Sequence, residues 1–224
     1  KVDATLIAQF CQSQNPELYS PPDPKIRELQ MLSRHLDNLN ESLQIQKNRL
    51  SSGIKSPPVL KSIHTVIDCL EKEIKETQKQ IDSLIDQDPT LKKDRELLKS
   101  IPGIGNLTAS KLLAEIPDIK KYESVKQLVA FAGMNPQHYQ SGSSVSKKSR
   151  LSKTGSARIR KLLFLPALVA KTHGEVFKNF EAKLLKNGKA KMIIVGAIMR
   201  KLLHIAYGVL KNNKSFDPIL AFQA

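Results

Sequence analysis

Apolar residues recur at alternating steps of three and four in two long runs of the N-terminal half. The first run is made of leucines, at Leu29, Leu32, Leu36, Leu39 and Leu43. The second keeps the same register with one polar member, at Ile63, Ile67, Leu70, Ile74, Thr77, Ile81 and Leu84. This spacing is the a/d seam of a coiled coil. Because SSGIKSPP at 51–58 interrupts the seam with a glycine and two prolines, the pattern predicts an antiparallel hairpin of two long helices.

Beyond Pro89 the apolar spacing is that of shorter amphipathic helices in a compact domain. After one short helix at 4–12 and the hairpin, it predicts helices at 90–100, 106–116, 123–133, 155–172, 174–187 and 189–212. The core side of the last helix is predicted at Ile193, Ile194, Ala197, Ile198, Leu202, Ile205 and Val209. Hydrophobic residues make up 40% of the chain but aromatic residues only 5%, which favours helices over sheets.

The predicted fold class is therefore all-α, with a long antiparallel coiled-coil hairpin followed by a compact helical domain. The chain divides by composition and periodicity into four parts. These are an N-terminal segment with a proline-rich linker at 1–24, the hairpin at 25–90, the helical domain at 91–214 and a tail at 215–224.

Cysteine content and hydropathy limit the cellular compartment. Cys11 and Cys69 fit no zinc-ligand spacing and are too few for a disulfide framework, which indicates a reducing, intracellular environment. No apolar run reaches the roughly 20 residues that cross a bilayer, and nothing at the start resembles a signal peptide. We therefore expect a cytoplasmic protein with no membrane partner.

The distribution of charge indicates a polyanionic partner. The net charge is +15, and residues 141–214 hold 17 lysines and arginines against two acids, Glu175 and Glu181. The rest of the chain is balanced, with 19 basic and 19 acidic residues. A basic segment binds nucleic acid by releasing condensed counterions, so nucleic acid is the predicted partner.

The stretch LLKSIPGIGNLTASKLLAEI at 97–116 predicts two helices joined by a tight turn. Gly103 and Gly105, on either side of Ile104, permit backbone angles that a side chain forbids. Free amides at the start of the second helix would form an anion site suited to a phosphate. The pattern resembles the helix-hairpin-helix motif, which holds nucleic-acid backbones without reading sequence. A plain tight turn is the alternative.

The stretch QHYQSGSSVSKKSR at 137–150 has no hydrophobic periodicity and predicts a mobile, charged loop. A nucleophilic serine needs a base or a metal to accept its proton, and no Ser, His, Asp order is recognisable nearby. His138 is close in sequence, but a lone histidine has many structural roles. The residues alone leave open whether one serine reacts or the stretch is an ordinary surface loop.

Several separate motifs resemble one family when they are taken in order. They are IPGIG with TASKLLAEI, then Gly133, Pro136 and Ser141-Gly142, then L-S-K-x-G at 151–155 with Arg158 and Arg160. They resemble the C-terminal domain of the transposases of insertion sequence family 110, also called 116/902, over about residues 95–212. The segment Lys1-Val2-Asp3-Ala4 followed by LIA resembles the end of that family's DEDD domain, an RNase H-like fold.

The resemblance implies a chemistry and its residues. In the family the DEDD acids bind Mg²⁺, and a serine of the C-terminal domain attacks a DNA phosphodiester and becomes linked to it. By position in the motifs, Ser141 is the catalytic serine and Asp3 the last metal-binding acid. The implied partners are DNA and a guide RNA that selects sites by base pairing, in a bacterial or archaeal cytoplasm next to the nucleoid. The residues expected to hold DNA are Gly103, Ile104, Gly105, Lys147, Lys148, Arg150, Lys153, Arg158 and Arg160.

Some alternatives stay open from the sequence. The other three DEDD acids would precede Lys1, so we expect no strand transfer from this chain by itself. Ser143 is a second candidate nucleophile, because more serines follow the S-G motif. A non-catalytic helix-hairpin-helix module that binds DNA or DNA junctions is the alternative function, and a coiled-coil adaptor is a third. Because an isolated hairpin exposes part of its seam, we expect a homo-oligomer, a dimer or a tetramer.

Overall fold

The computed structural model describes residues 2–16, 21, 23–116, 118–141 and 145–222, without the side chains of 120, 138–141, 145–149 and 221–222. The helices are α1 (Val2–Gln14), α2 (Pro24–Ser51), α3 (Pro57–Asp86), α4 (Pro89–Lys99), α5 (Asn106–Glu115), α6 (Val125–Phe131), α7 (Ala157–His173), α8 (Glu175–Lys186), α9 (Lys191–Asn212) and α10 (Pro218–Phe222). Two strands, β1 (Pro136–Ser141) and β2 (Val145–Leu151), lie between α6 and α7. The all-α fold class is confirmed, and the predicted ends of the shorter helices lie within two residues of those observed.

Helices α2 and α3 pack side by side as a hairpin joined by residues 52–56. Asp23 caps α2 by accepting a hydrogen bond from the Lys25 amide at 2.8 Å. Every member of the predicted seam is buried or half-buried. Near the tip, Lys47 of α2 pairs with Glu71 of α3 at 2.9 Å on the hairpin surface. Self-association through this hairpin stays a prediction.

The base of the hairpin belongs to the same hydrophobic core as the helical body. Leu29 and Leu36 of α2 and Ile81 of α3 are almost fully buried in that core. Arg95 of α4 is itself buried and donates from its two terminal nitrogens to the carboxylates of Asp82 and Asp86, at 2.9 and 2.8 Å. These contacts hold α3 and α4 at a fixed corner. The predicted domain boundaries stay predictions.

Charged side chains also join α2 to the body. Arg34 forms a two-pronged contact with Glu115 of α5, with a closest distance of 2.9 Å. One turn further along α2, Asp37 accepts a hydrogen bond from Lys111 of α5. The N-terminal half of α2 is thus held to the helical body by buried apolar residues and by ion pairs.

Helix α9 is the central element of the body. It is long and apolar enough to cross a bilayer by length and composition alone, which the sequence analysis did not anticipate. However, α4, α6, α7 and α8 pack around it, so its apolar residues are those of a core helix. Its buried residues are Ile194, Val195, Ile198, Met199, Leu202, Leu203, Ile205, Ala206, Val209 and Leu210. The predicted core residue Ile193 is instead exposed.

The structure differs from expectation at the serine-rich stretch. Instead of a loop, β1 and β2 form an antiparallel two-stranded ribbon in which Pro136 pairs with Leu151 and Ser141 with Val145. The register shifts between Gln137 and Tyr139. Polar residues on both faces give this ribbon no apolar alternation, which is the signal by which strands are recognised in a sequence.

Candidate functional site

Ser141 is the last residue of β1, at the end of the ribbon opposite the helical body. At about 3.3 Å per residue, β1 carries it roughly 16 Å from Pro136. The ribbon joins the body at Leu151, which packs against the core and against Gly196 of α9. Gly142 and the alternative nucleophile Ser143 lie outside the described residues, as does the Ser141 side chain. The backbone therefore places Ser141 at the far end of the ribbon.

Residues 131–135 and 152–156 form the ribbon neck, in which two glycines come together. Gly133 and Gly155 both have positive φ, 65° and 138°. A Cβ on Gly155 would lie 2.4 Å from the Phe131 carbonyl oxygen and 2.7 Å from the Gly133 nitrogen. The Ser156 amide donates to the Phe131 carbonyl at 2.8 Å. The G-x-x-P and L-S-K-x-G motifs are thus two halves of one structure.

Arg160 of α7 binds the neck through its guanidinium group. Its Nη1 donates to the carbonyl oxygens of Ala132 at 3.0 Å and Gly155 at 3.2 Å. The same nitrogen would lie 2.5 Å from a Cβ added to Gly133, so that glycine leaves room for the guanidinium. Arg160 was predicted to bind DNA. In the structure it is half-buried, and its guanidinium is hydrogen-bonded to these two carbonyls of the neck.

Three other predicted DNA-binding residues are exposed, one in β2, one in the neck and one in the first turn of α7. They are Arg150, Lys153 and Arg158, and none of them makes an ion pair with a residue that the structure describes. Lys147 and Lys148 lie on β2, with side chains outside the described part. Uncompensated cations of this kind attract phosphates from solution.

The PGIG turn between α4 and α5 divides its three predicted residues between different roles. Ile104 is buried in the core, and its amide donates to the Ile101 carbonyl at 3.0 Å. Gly103, at φ 88°, packs so tightly on α7 that a Cβ would lie 2.4 Å from the Pro166 carbonyl oxygen. Gly105 is exposed with open space beside it and precedes α5 without a side-chain cap. A phosphate site here is therefore limited to Gly105 and the first turn of α5.

Asp3, the predicted metal ligand, is exposed in the first turn of α1, and every described residue of that helix is exposed. Within the described part of the chain, no group of three His, Cys, Asp or Glu side chains could hold a metal ion. Magnesium needs several oxygen ligands around it, so Asp3 by itself does not fit a magnesium site.

Replacing Arg160 by glutamine is expected to loosen the neck, because two charge-assisted hydrogen bonds to carbonyls are lost. We expect the free energy of unfolding to fall by about 2 kcal/mol, measured by urea denaturation. The matched control is Arg158→Gln, which removes the same charge two residues away from an exposed side chain without a described partner. Equal stability of the two variants would contradict the role given to Arg160.

Comparison with known proteins shows which family shares this part of the chain. A family model described as "Transposase IS116/IS110/IS902 family" matches residues 95–182, which include the PGIG turn, the ribbon and its neck. The pilin gene-inverting protein of Moraxella bovis is 34% identical over 219 residues, covering 97% of this chain and 67% of the relative. The transposase for insertion sequence element IS1111A of Coxiella burnetii is 31% identical over 158 residues, covering 69% of this chain and 40% of the relative.

A third relative, the transposase for insertion sequence element IS1328 of Yersinia enterocolitica, is 28% identical over 163 residues, covering 71% of this chain and 47% of the relative. The class of protein is therefore the DNA-recombining transposase. The chain belongs to the IS116/IS110/IS902 family of transposases, as its motifs predict. It spans about two thirds of the Moraxella relative and under half of the other two.

Sequence reasoning missed the contacts that hold the ribbon in place. The contact between Leu151 and Gly196 joins β2 to α9 across 45 positions of sequence, and no local pattern indicates it. The neck had a signal, since Gly133 and Gly155 stand in the two family motifs. Only the structure brings those motifs together.

Proposed function

We propose that the chain is the C-terminal part of a transposase that cleaves and exchanges DNA strands with the Ser141 hydroxyl. The observation that supports the proposal is the position of Ser141 at the end of a ribbon whose neck contains residues of two other family motifs. Three exposed cations in and next to that neck in the chain, Arg150, Lys153 and Arg158, add support. The arm would bring a nucleophile to a phosphate while the body holds the DNA.

In the proposed step, Ser141 Oγ attacks the phosphorus of a phosphodiester. A bond forms between Oγ and phosphorus, and the bond from phosphorus to one sugar oxygen breaks. The serine proton is released to solvent, and the departing sugar oxygen takes up a proton, so charge and atoms balance. Attack on the phosphoserine by the hydroxyl of another strand reverses the step and joins the strands. Neighbouring cations would offset the negative charge that builds up on the phosphoryl oxygens.

Magnesium enters the proposal mainly through residues beyond this chain. Asp3 would supply one carboxylate, and the remaining ligands would come from the DEDD region that the resemblance places before Lys1. Because the described residues provide no complete site, no step proposed for Ser141 depends on the ion.

The proposed partners are DNA, a guide RNA and further copies of the chain. The guide is proposed from the family resemblance, with base pairing rather than this protein selecting the sites. A dimer or tetramer through the α2–α3 hairpin is supported by apolar side chains exposed along it, Met31, Ile45, Val59 and Val66. The proposed location is the cytoplasm, at the nucleoid.

The second candidate is a non-catalytic module that binds DNA or DNA junctions through the PGIG turn. The exposed Gly105 and the uncapped first turn of α5 favour it, since free amides there would donate hydrogen bonds to a backbone phosphate. This candidate and the first differ in whether Ser141 becomes covalently linked to DNA.

Binding of the 224-residue chain to duplex DNA is expected to weaken steeply with salt. Each phosphate neutralised contributes about 0.9 to the slope of log K against log salt concentration, so we expect a slope of about −4 or steeper. Fluorescence anisotropy between 50 and 300 mM salt measures it. A triple variant with Arg150, Lys153 and Arg158 changed to glutamine should lower the slope by about 2. A coiled-coil adaptor would show no such binding, and that result would contradict the proposal.

A further inference from the structure

Five lysines form a basic surface that runs along α8 and onto the start of α9. We call this surface the α8–α9 corner. Its members are all exposed: Lys178, Lys183, Lys186, Lys189 and Lys191. Of the two acids in α8, Glu175 is exposed in the first turn, three residues before Lys178, and Glu181 is half-buried and accepts a hydrogen bond from Lys171 at 2.9 Å. None of the five lysines makes an ion pair with a residue that the structure describes.

The fold turns these lysines to one side. In α8 the buried side is set by Phe177, Phe180 and Leu184, which pack on the core. At 100° per residue, the three lysines of α8 lie within an arc of about 140° on the opposite side. Gly188, at φ 68°, then reverses the chain, and the Lys189 amide donates to the Leu184 carbonyl at 3.1 Å. The turn therefore adds two further lysines to the same end of α8.

The corner and the ribbon are connected through α9. Gly196 of α9 contacts Leu151 at the foot of β2. It follows Lys191 by five residues, which is about 7.5 Å along the helix axis. The foot of the ribbon, at Leu151, and the first lysine of α9, Lys191, thus lie near the same N-terminal part of α9.

We propose that the α8–α9 corner binds the sugar-phosphate backbone of a polynucleotide, as a second, sequence-independent surface that continues from the ribbon. The proposal rests on the proposed function as a nucleic-acid-binding transposase. Five lysines without acidic partners offer point charges to phosphates and no arrangement of donors that would read a base. The same chemistry fits a DNA strand or an RNA strand.

An anionic membrane is the competing occupant, and the packing of α8 disfavours it. A helix that lies in a membrane interface must insert its apolar face. The apolar face of α8 is already used in the core, through residues such as Phe177 and Leu184. The described apolar residues that stay exposed at the corner are Leu185, Met192 and Ile193. They are divided between α8 and α9, so they do not form the apolar face of one helix.

The test compares two full-length variants of equal charge. In the corner variant Lys178, Lys183, Lys186, Lys189 and Lys191 are changed to glutamine. In the control variant the same change is made at five exposed hairpin lysines, Lys55, Lys61, Lys72, Lys75 and Lys79. Circular dichroism establishes that both fold. Affinity is then measured against labelled 30-base duplex DNA, single-stranded DNA and single-stranded RNA over a range of salt concentrations.

We expect the corner variant to lose at least about tenfold in affinity and two to four in the salt slope, and the control to lose less than about threefold. The probe that loses most identifies DNA or RNA as the ligand. Equal losses in both variants overturn the corner proposal alone. A wild-type chain that binds none of the three probes overturns the proposed function as well. Phosphatidylserine vesicles serve as a fourth probe. If the corner variant loses binding to these vesicles while its nucleic-acid affinity is unchanged, the corner proposal is overturned in favour of a membrane.

Discussion

Replacing Ser141 by alanine will abolish covalent attachment of the protein to DNA. The assay joins this chain to the DEDD region predicted to precede Lys1, incubates it with a labelled DNA substrate and separates adducts under denaturing conditions. The substitution removes the Oγ that we propose forms the bond to phosphorus, and water cannot form a protein adduct in its place. We expect a loss of at least about a thousandfold, because a covalent intermediate has no alternative route without its nucleophile.

The control for this experiment is Ser143→Ala, which changes the same side chain two residues away in the same stretch. It should keep its adduct, and both variants should bind DNA with the salt slope of the parent protein, since a hydroxyl carries no charge. An adduct that persists in Ser141→Ala and disappears in Ser143→Ala would move the nucleophile to position 143. Adducts in both variants would place the nucleophile at a residue other than these two serines, and a parent protein that forms no adduct would favour the non-catalytic module.

The helices were predictable because each buries one stripe of apolar residues, and burial leaves a period in the sequence. This holds for the a/d seam at Leu29 and Leu36 as well as for α5 and α7. For helix α9 the apolar period predicts only part of the buried surface. It is surrounded by other helices, so residues outside the predicted stripe, such as Val195 and Met199, are buried too.

The residues of the candidate site stay a prediction from family motifs, and the shape of the ribbon that carries Ser141 could not be predicted. A family motif identified Ser141, whereas the ribbon that carries it has polar residues on both faces and no period to detect. The same limit applies to the PGIG turn. The sequence marks its glycines as conformationally special, but only the packing on α7 shows that Gly103 serves close contact while Gly105 stays open to solvent. Residue type predicts what a position permits, and tertiary contact decides what it does.

Replacing Gly155 by alanine will destabilise the protein strongly, because the new Cβ meets backbone atoms that cannot move aside independently. It would lie 2.4 Å from the Phe131 oxygen and 2.7 Å from the Gly133 nitrogen, at a φ of 138° that side chains rarely adopt. We expect a loss of about 3 kcal/mol or more, and a melting temperature lower by about 6 °C or more. Differential scanning calorimetry measures both.

Gly208→Ala is the matched control, since Gly208 lies within α9 with nothing within 4 Å of an added Cβ. There the same methyl group should raise stability by about 0.5–1 kcal/mol, because alanine favours a helix interior over glycine. The two substitutions are chemically identical and are expected to act in opposite directions. If Gly155→Ala melts at the temperature of the parent protein, the two motifs do not meet at the neck. The proposal that the ribbon positions Ser141 as a nucleophile would then lose its structural basis.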